Sequence, residues 1–94
     1  MDIGFLWDEE KYKAVQKKHK FQLHEVATAF YDPKGYEIPD PRGHEDRWMW
    51  VGSTRDGRVL SIIFSDEELP IYRLITAFKA EKEVVDEYYT RSGI

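Results

Sequence analysis

Three runs of branched and aromatic residues lie close together in the second half of the chain. They constrain its fold more than any other feature. Arg47 to Val51 reads RWMWV, Arg58 to Ser65 reads RVLSIIFS, and Ile71 to Phe78 reads IYRLITAF. Each is bounded by turn residues, the pattern of a β-strand. The first connection, Gly52 to Gly57, contains Asp56-Gly57, a pair that favours a hairpin. The second, Ser65 to Pro70, is also of hairpin length. Consecutive hairpins make an antiparallel meander. A short edge strand fits Tyr36 to Ile38, because Pro39 limits further pairing. In the second run Leu60, Ile62 and Phe64 share one face, opposite Val59, Ser61 and Ile63. Neither face of such a sheet is cleanly polar. In a regular third strand Arg73 and Phe78 point to opposite faces.

Helical spacing flanks the meander. Residues 8 to 19 predict a first helix, with Asp8 as N-cap and Glu9 and Glu10 suited to its positive end. Tyr12, Val15, Gln16 and His19 fall on one face, and Lys13, Lys17 and Lys20 lie opposite. A second helix runs from about Gln22 to Tyr31, with Leu23, Val26, Ala27 and Phe30 as its apolar stripe. Asp32-Pro33-Lys34-Gly35 stops it. A third covers Ala80 to about Arg91, where Val84, Val85, Tyr88 and Tyr89 give an apolar side. The elements segregate rather than alternate. The predicted class is therefore α+β, with two N-terminal helices, an antiparallel meander of three to four strands and a C-terminal helix. Ninety-four residues make one domain, residues 1–94.

Cysteine is absent, which excludes disulfides, thiolate metal sites and a cysteine nucleophile. No apolar run is long enough to span a bilayer and the first residues do not read as a secretory signal, so a cytoplasmic location is expected, with no membrane partner. No spacing resembles a metal site, a glycine-rich phosphate loop or a serine triad, and no cofactor is expected. The net charge of −4 argues mildly against a nucleic-acid binder. Its distribution argues the other way. Lys11, Lys13, Lys17, Lys18, His19 and Lys20 follow one another with no acid between them, while the acids gather at 8–10, 66–68 and 81–87. The chain can be acidic overall and still present a positive surface.

The residues resemble the BrnT-type toxins of bacterial type II toxin–antitoxin systems. That family's N-terminal pattern appears as Phe5, Trp7-Asp8, Lys11 and Lys18-His19. The end of its second helix appears as Phe30-Tyr31-Asp32-Pro33. Glu45, Arg47 and Gly52 fit the acid, arginine and glycine around the next strand. Arg73-Leu74-Ile75-Thr76-Ala77-Phe78-Lys79-Ala80 is similar to its late strand, and Tyr88 to the tyrosine of its last helix. The resemblance implies a compact RelE-like ribonuclease fold that acts on RNA in the cytoplasm and inhibits translation. It also implies a neighbouring ribbon-helix-helix antitoxin, with DNA contacted only through that partner. The chain departs from the pattern at Val15, Lys20, Val84 and Phe78, where relatives carry Asn, Gly, Glu and Arg. Phe78 cannot hold a phosphate as a guanidinium can.

Metal-independent RNA cleavage needs a base for the 2'-hydroxyl, an acid for the leaving 5'-oxygen and cations for the phosphorane. An unperturbed histidine titrates near neutrality, which makes His19 the candidate acid or base; a half-buried structural histidine is the alternative. Arg73 lies in the middle of an apolar strand, where an arginine needs a partner: a phosphate, or an ion pair with Glu45 or Asp46. The same pair of readings holds for Arg47. With Lys18 these form the candidate catalytic set, and Lys11, Lys17, Lys79 and Tyr72 the candidate RNA contacts. Trp48, Trp50 and Tyr72 can stack bases or fill the core. His24 and His44 attract no role. A non-catalytic, antitoxin-binding module is the rival reading, drawn from Phe78 and Val84.

Overall fold

The computed structural model describes residues 4–7, 10, 13, 16–17, 23–43, 45–68 and 71–93. In chain order its elements are β1 (Gly4–Trp7), α1 (Leu23–Phe30), β2 (Tyr36–Pro39), β3 (Trp48–Ser53), β4 (Val59–Glu68), β5 (Ile71–Lys79) and α2 (Lys82–Ser92). The strands form one sheet in the order β1-β5-β4-β3-β2. From β2 to β5 it is an antiparallel meander, as the three apolar runs predict. The edge strand expected near Tyr36 is present and pairs with β3. Among the described residues no helix is long and apolar enough to cross a membrane.

Two expectations are corrected. The chain opens on a strand, because β1 pairs in parallel with β5, Gly4 against Ile71 through Trp7 against Leu74. Four residues give too short a pattern to announce a strand, and the partner lies near the other end of the chain. Of the two N-terminal helices expected, one is present as an element, α1. Within 8 to 19 the backbone is helical at Glu10, Lys13, Gln16 and Lys17, and the rest of that expected helix lies outside the described residues.

The two apolar faces have a simple cause: the sheet is covered on both sides. On one face Val26 and Ala29 of α1 pack against Leu60, Ile62, Phe64, Leu74 and Ala77. On the other, Tyr88 of α2 and Ala80 pack against Met49, Val51, Val59 and Ile63. The first layer is close enough to dictate a residue. A Cβ on Gly52 would overlap the Ala29 carbonyl oxygen, so α1 rests directly on the β3 backbone. That same carbonyl accepts a hydrogen bond from Trp50 Nε1 at 2.8 Å. Phe30 stacks on Trp50 at 5.3 Å and meets Phe64 and Tyr72 at 5.1 and 5.0 Å, forming an aromatic wedge beneath α1.

β5 is not regular. Ile63 pairs with Thr76 but the next residue, Phe64, pairs with Leu74, so Ile75 is an inserted residue. Such a bulge reverses the alternation beyond it. Tyr72, Leu74 and Ala77 all belong to the α1 face, whereas Ile75 and Phe78 pack on the α2 face. Arg73, between Tyr72 and Leu74, therefore shares the α2 face with Phe78, contrary to the parity of a regular strand.

Candidate functional site

The register brings two of the expected residues together. Trp48 pairs with Phe64 and Phe64 with Leu74, while Ser65 pairs with Arg73. Arg47, one residue before Trp48, thus lies on one side of β4 at the level at which Arg73 lies on the other. Two strand spacings separate them, roughly 10 Å between backbones. They also share a face: Met49 and Val51 turn to α2, so Arg47 does, and Arg73 does through the alternation described above. Both are half-buried, and Ser65 between them is buried. Its hydroxyl accepts a bond from the Glu67 N–H at 3.4 Å. Glu45 and Asp46 stay exposed, and among the described residues neither is ion-paired to Arg47 or Arg73. Two guanidinium groups on one face can grip an anion between them, since their planar forks match phosphate geometry.

The other expected residues are dispersed. Lys11, Lys18 and His19 lie outside the described residues, as does His44. Lys17 is helical and exposed. Lys79 pairs with Leu60 at the far end of β5, about 20 Å along the strand from Arg73. Tyr72 faces α1 and meets Phe30 and Phe64, so it belongs to the aromatic wedge, as does Trp50, and Trp48 packs against the same core. His24 is exposed, and its carbonyl accepts the Thr28 hydroxyl at 2.7 Å. Phe78 and Val84 line one small hollow between the sheet and the start of α2.

A second grouping forms at the opposite end of the sheet, around Asp32. α1 ends there, and Asp32 opens a tight turn: its backbone carbonyl accepts the Gly35 N–H and its side chain the Lys34 N–H, both at 2.9 Å. The other carboxylate oxygen accepts the Ser53 N–H at 2.9 Å and the Tyr88 hydroxyl. Burial alone would favour the neutral acid. The hydrogen bonds from Tyr88, Ser53 and Lys34, with the Lys34 charge, outweigh it and hold Asp32 below the ordinary carboxylate range. Burial pushes the Tyr88 hydroxyl well above its ordinary range, and the bond to Asp32 adds to this. Tyr88 is therefore a fixed donor and not a titrating base. Above this node opens a cleft of about 540 Å³, with Tyr31, Lys34, Arg55 and Tyr89 along its walls. Sequence reasoning gave these four no part in binding, and it read Tyr89, which is exposed, only as part of an apolar helix side. They come from three separate segments, and only the packing of α2 beside the β3–β4 turn makes them neighbours.

Comparison with known proteins places these observations. Residues 7–83 match the family model described as the ribonuclease toxin, BrnT, of type II toxin-antitoxin systems. The fold is similar to the 1.1 Å crystal structure of the Brucella abortus ribonuclease toxin BrnT, with a TM-score of 0.68 at 18% identity. That likeness covers 86% of this chain and all of the Brucella one. No curated protein matches this sequence significantly.

Proposed function

The chain belongs to the BrnT family of ribonuclease toxins of type II toxin–antitoxin systems, and from that premise we propose that it is a metal-independent endoribonuclease of RelE-like descent. It acts in the cytoplasm, inhibits translation by cutting RNA, and is neutralised by a ribbon-helix-helix antitoxin through which alone it meets DNA. The observation that carries this reading is the placing of Arg47 and Arg73 on one face, on either side of β4. In the reaction the 2'-oxygen attacks the adjacent phosphorus and the bond to the 5'-oxygen breaks. The products are a 2',3'-cyclic phosphate and a 5'-hydroxyl. Arg47 and Arg73 hold the phosphate and spread the charge of the phosphorane. Lys18 adds a cation, and His19 takes the proton from the 2'-hydroxyl or returns one to the 5'-oxygen. Lys11 and Lys17 extend the positive surface along the N-terminal segment. Lys79 and Tyr72 take weaker parts, given the distance of the first and the inward face of the second.

Purified protein in a chelator is expected to cut single-stranded RNA. Arg73→Ala should abolish cutting by at least a hundredfold while leaving a cooperative thermal transition. Intact RNA across a range of pH and salt would reject the reading. The second reading, an antitoxin-binding module with weakened catalysis, draws on one observation. Phe78 and Val84, where the resemblance implies an arginine and a glutamate, line the same hollow. Harmless expression with tight antitoxin binding would favour it, and growth arrest the first.

A further inference from the structure

The cleft above Asp32 has a composition unlike the rest of the surface. The whole chain carries a net charge of −4, yet the cleft is lined by two cations, Lys34 and Arg55, and one acid, Asp32. Both oxygens of that acid are occupied by donors on the cleft floor. Among the described residues the side chains of Lys34 and Arg55 make no hydrogen bond or ion pair. Two of the few large aromatic side chains left in water stand here as well, Tyr31 at 57% exposure and Tyr89 at 38%. Tyr89 is braced edge-on against buried Tyr88 at 5.3 Å, so its ring is held in place while one side stays open. Exposed aromatic rings beside exposed cations, in an open cleft of about 540 Å³, are the two parts of a single-strand binding surface. Rings stack bases and cations take the backbone.

We infer that this cleft is a second RNA contact, which takes an unpaired nucleotide with its base against Tyr31 or Tyr89 and its phosphate on Lys34 and Arg55. It lies at the Ser53 end of β3, about 17 Å from the Arg47 end, so a strand of a few nucleotides reaches both. The inference rests on the ribonuclease reading for its ligand class but not on the cleavage residues. An acidic peptide would use the same two cations and gain nothing specific from the two rings.

The probe is a fluorescein-labelled oligouridylate with 2'-O-methyl sugars, which cannot be cut, read by fluorescence anisotropy. Tyr31→Ser should weaken its binding about tenfold. Arg55→Ala should weaken it and lower the salt dependence by about one phosphate contact. Both side chains are exposed, so unchanged melting temperatures will show that the fold is kept. With ordinary RNA both variants should raise KM and leave kcat unchanged. Wild-type affinity in the two variants would overturn the inference, as would a wild-type chain that does not bind the probe. Displacement of the probe by hexaglutamate with no dependence on Tyr31 would assign the cleft to an acidic segment instead and overturn it too. Wild-type chain that binds the probe but leaves ordinary RNA intact supports the cleft and rejects the cleavage reading alone.

Discussion

Asp32 shows how much one residue can hold. Its carboxylate joins the end of α1, the end of β3 and the middle of α2. Because its folded-state pKa is depressed, the unfolded chain binds more protons than the folded one as pH falls. Its contribution is complete above the ordinary carboxylate range near pH 4 and is lost as pH falls through the lower folded value. Urea midpoints against pH should therefore drop on the acid side, and Asp32→Asn should flatten that limb. Tyr88→Phe removes one donor to a charged acceptor and should cost about 1.5 kcal/mol at neutral pH. It should also move the acid loss of stability upward. A midpoint unchanged in both variants would remove Asp32 from its joining role. Gly52→Ala should cost about 3 kcal/mol by urea denaturation, because the new methyl group must displace α1. Here the sequence was half legible. Asp32-Pro33 signals the end of a helix, but nothing local says that the partners of Asp32 stand 21 and 56 residues later.

At the scale of elements, legibility follows range. β3, β4 and β5 read directly from branched runs and hairpin-length connections, since their partners are their neighbours in sequence. β1 did not, being short and paired at long range. The bulge at Ile75 was equally silent, because IYRLITAF alternates no worse than a regular strand. Its effect is large, since it puts Arg73 and Phe78 on one side. The docking of α1 depends on Phe30, which touches Trp50, Phe64 and Tyr72. Phe30→Ala should cost about 3 kcal/mol and weaken the near-ultraviolet circular dichroism of the aromatic wedge. Far-ultraviolet signal from the sheet should persist below the new midpoint.

Seen whole, the molecule is a sheet between two helical covers, with a pair of arginines toward one end and a cationic, tyrosine-lined cleft at the other. On the proposed ribonuclease reading, an overall charge of −4 makes RNA binding depend on these local concentrations, so affinity should fall steeply with salt. Removing Arg47 or Arg73 should each reduce the slope of log affinity against log salt by about one. A slope unaffected by either substitution would place the phosphates elsewhere. All four residues of the proposed cleavage site were named from the sequence, Arg73 as an arginine inside an apolar run, and of the four Arg47 and Arg73 fall among the described residues. The cleft was not, because surface tyrosines and lysines carry no pattern until the chain is folded. The pairing of β1 with β5 also sets an order of assembly during synthesis. The strand β1 is synthesised long before residues 71–79 exist, and Arg47 waits for Arg73 over a shorter stretch of the same synthesis. Any activity that needs both arginines is thus withheld from chains that stop short of residue 73, and in chains that stop short of β5 the strand β1 has no parallel partner.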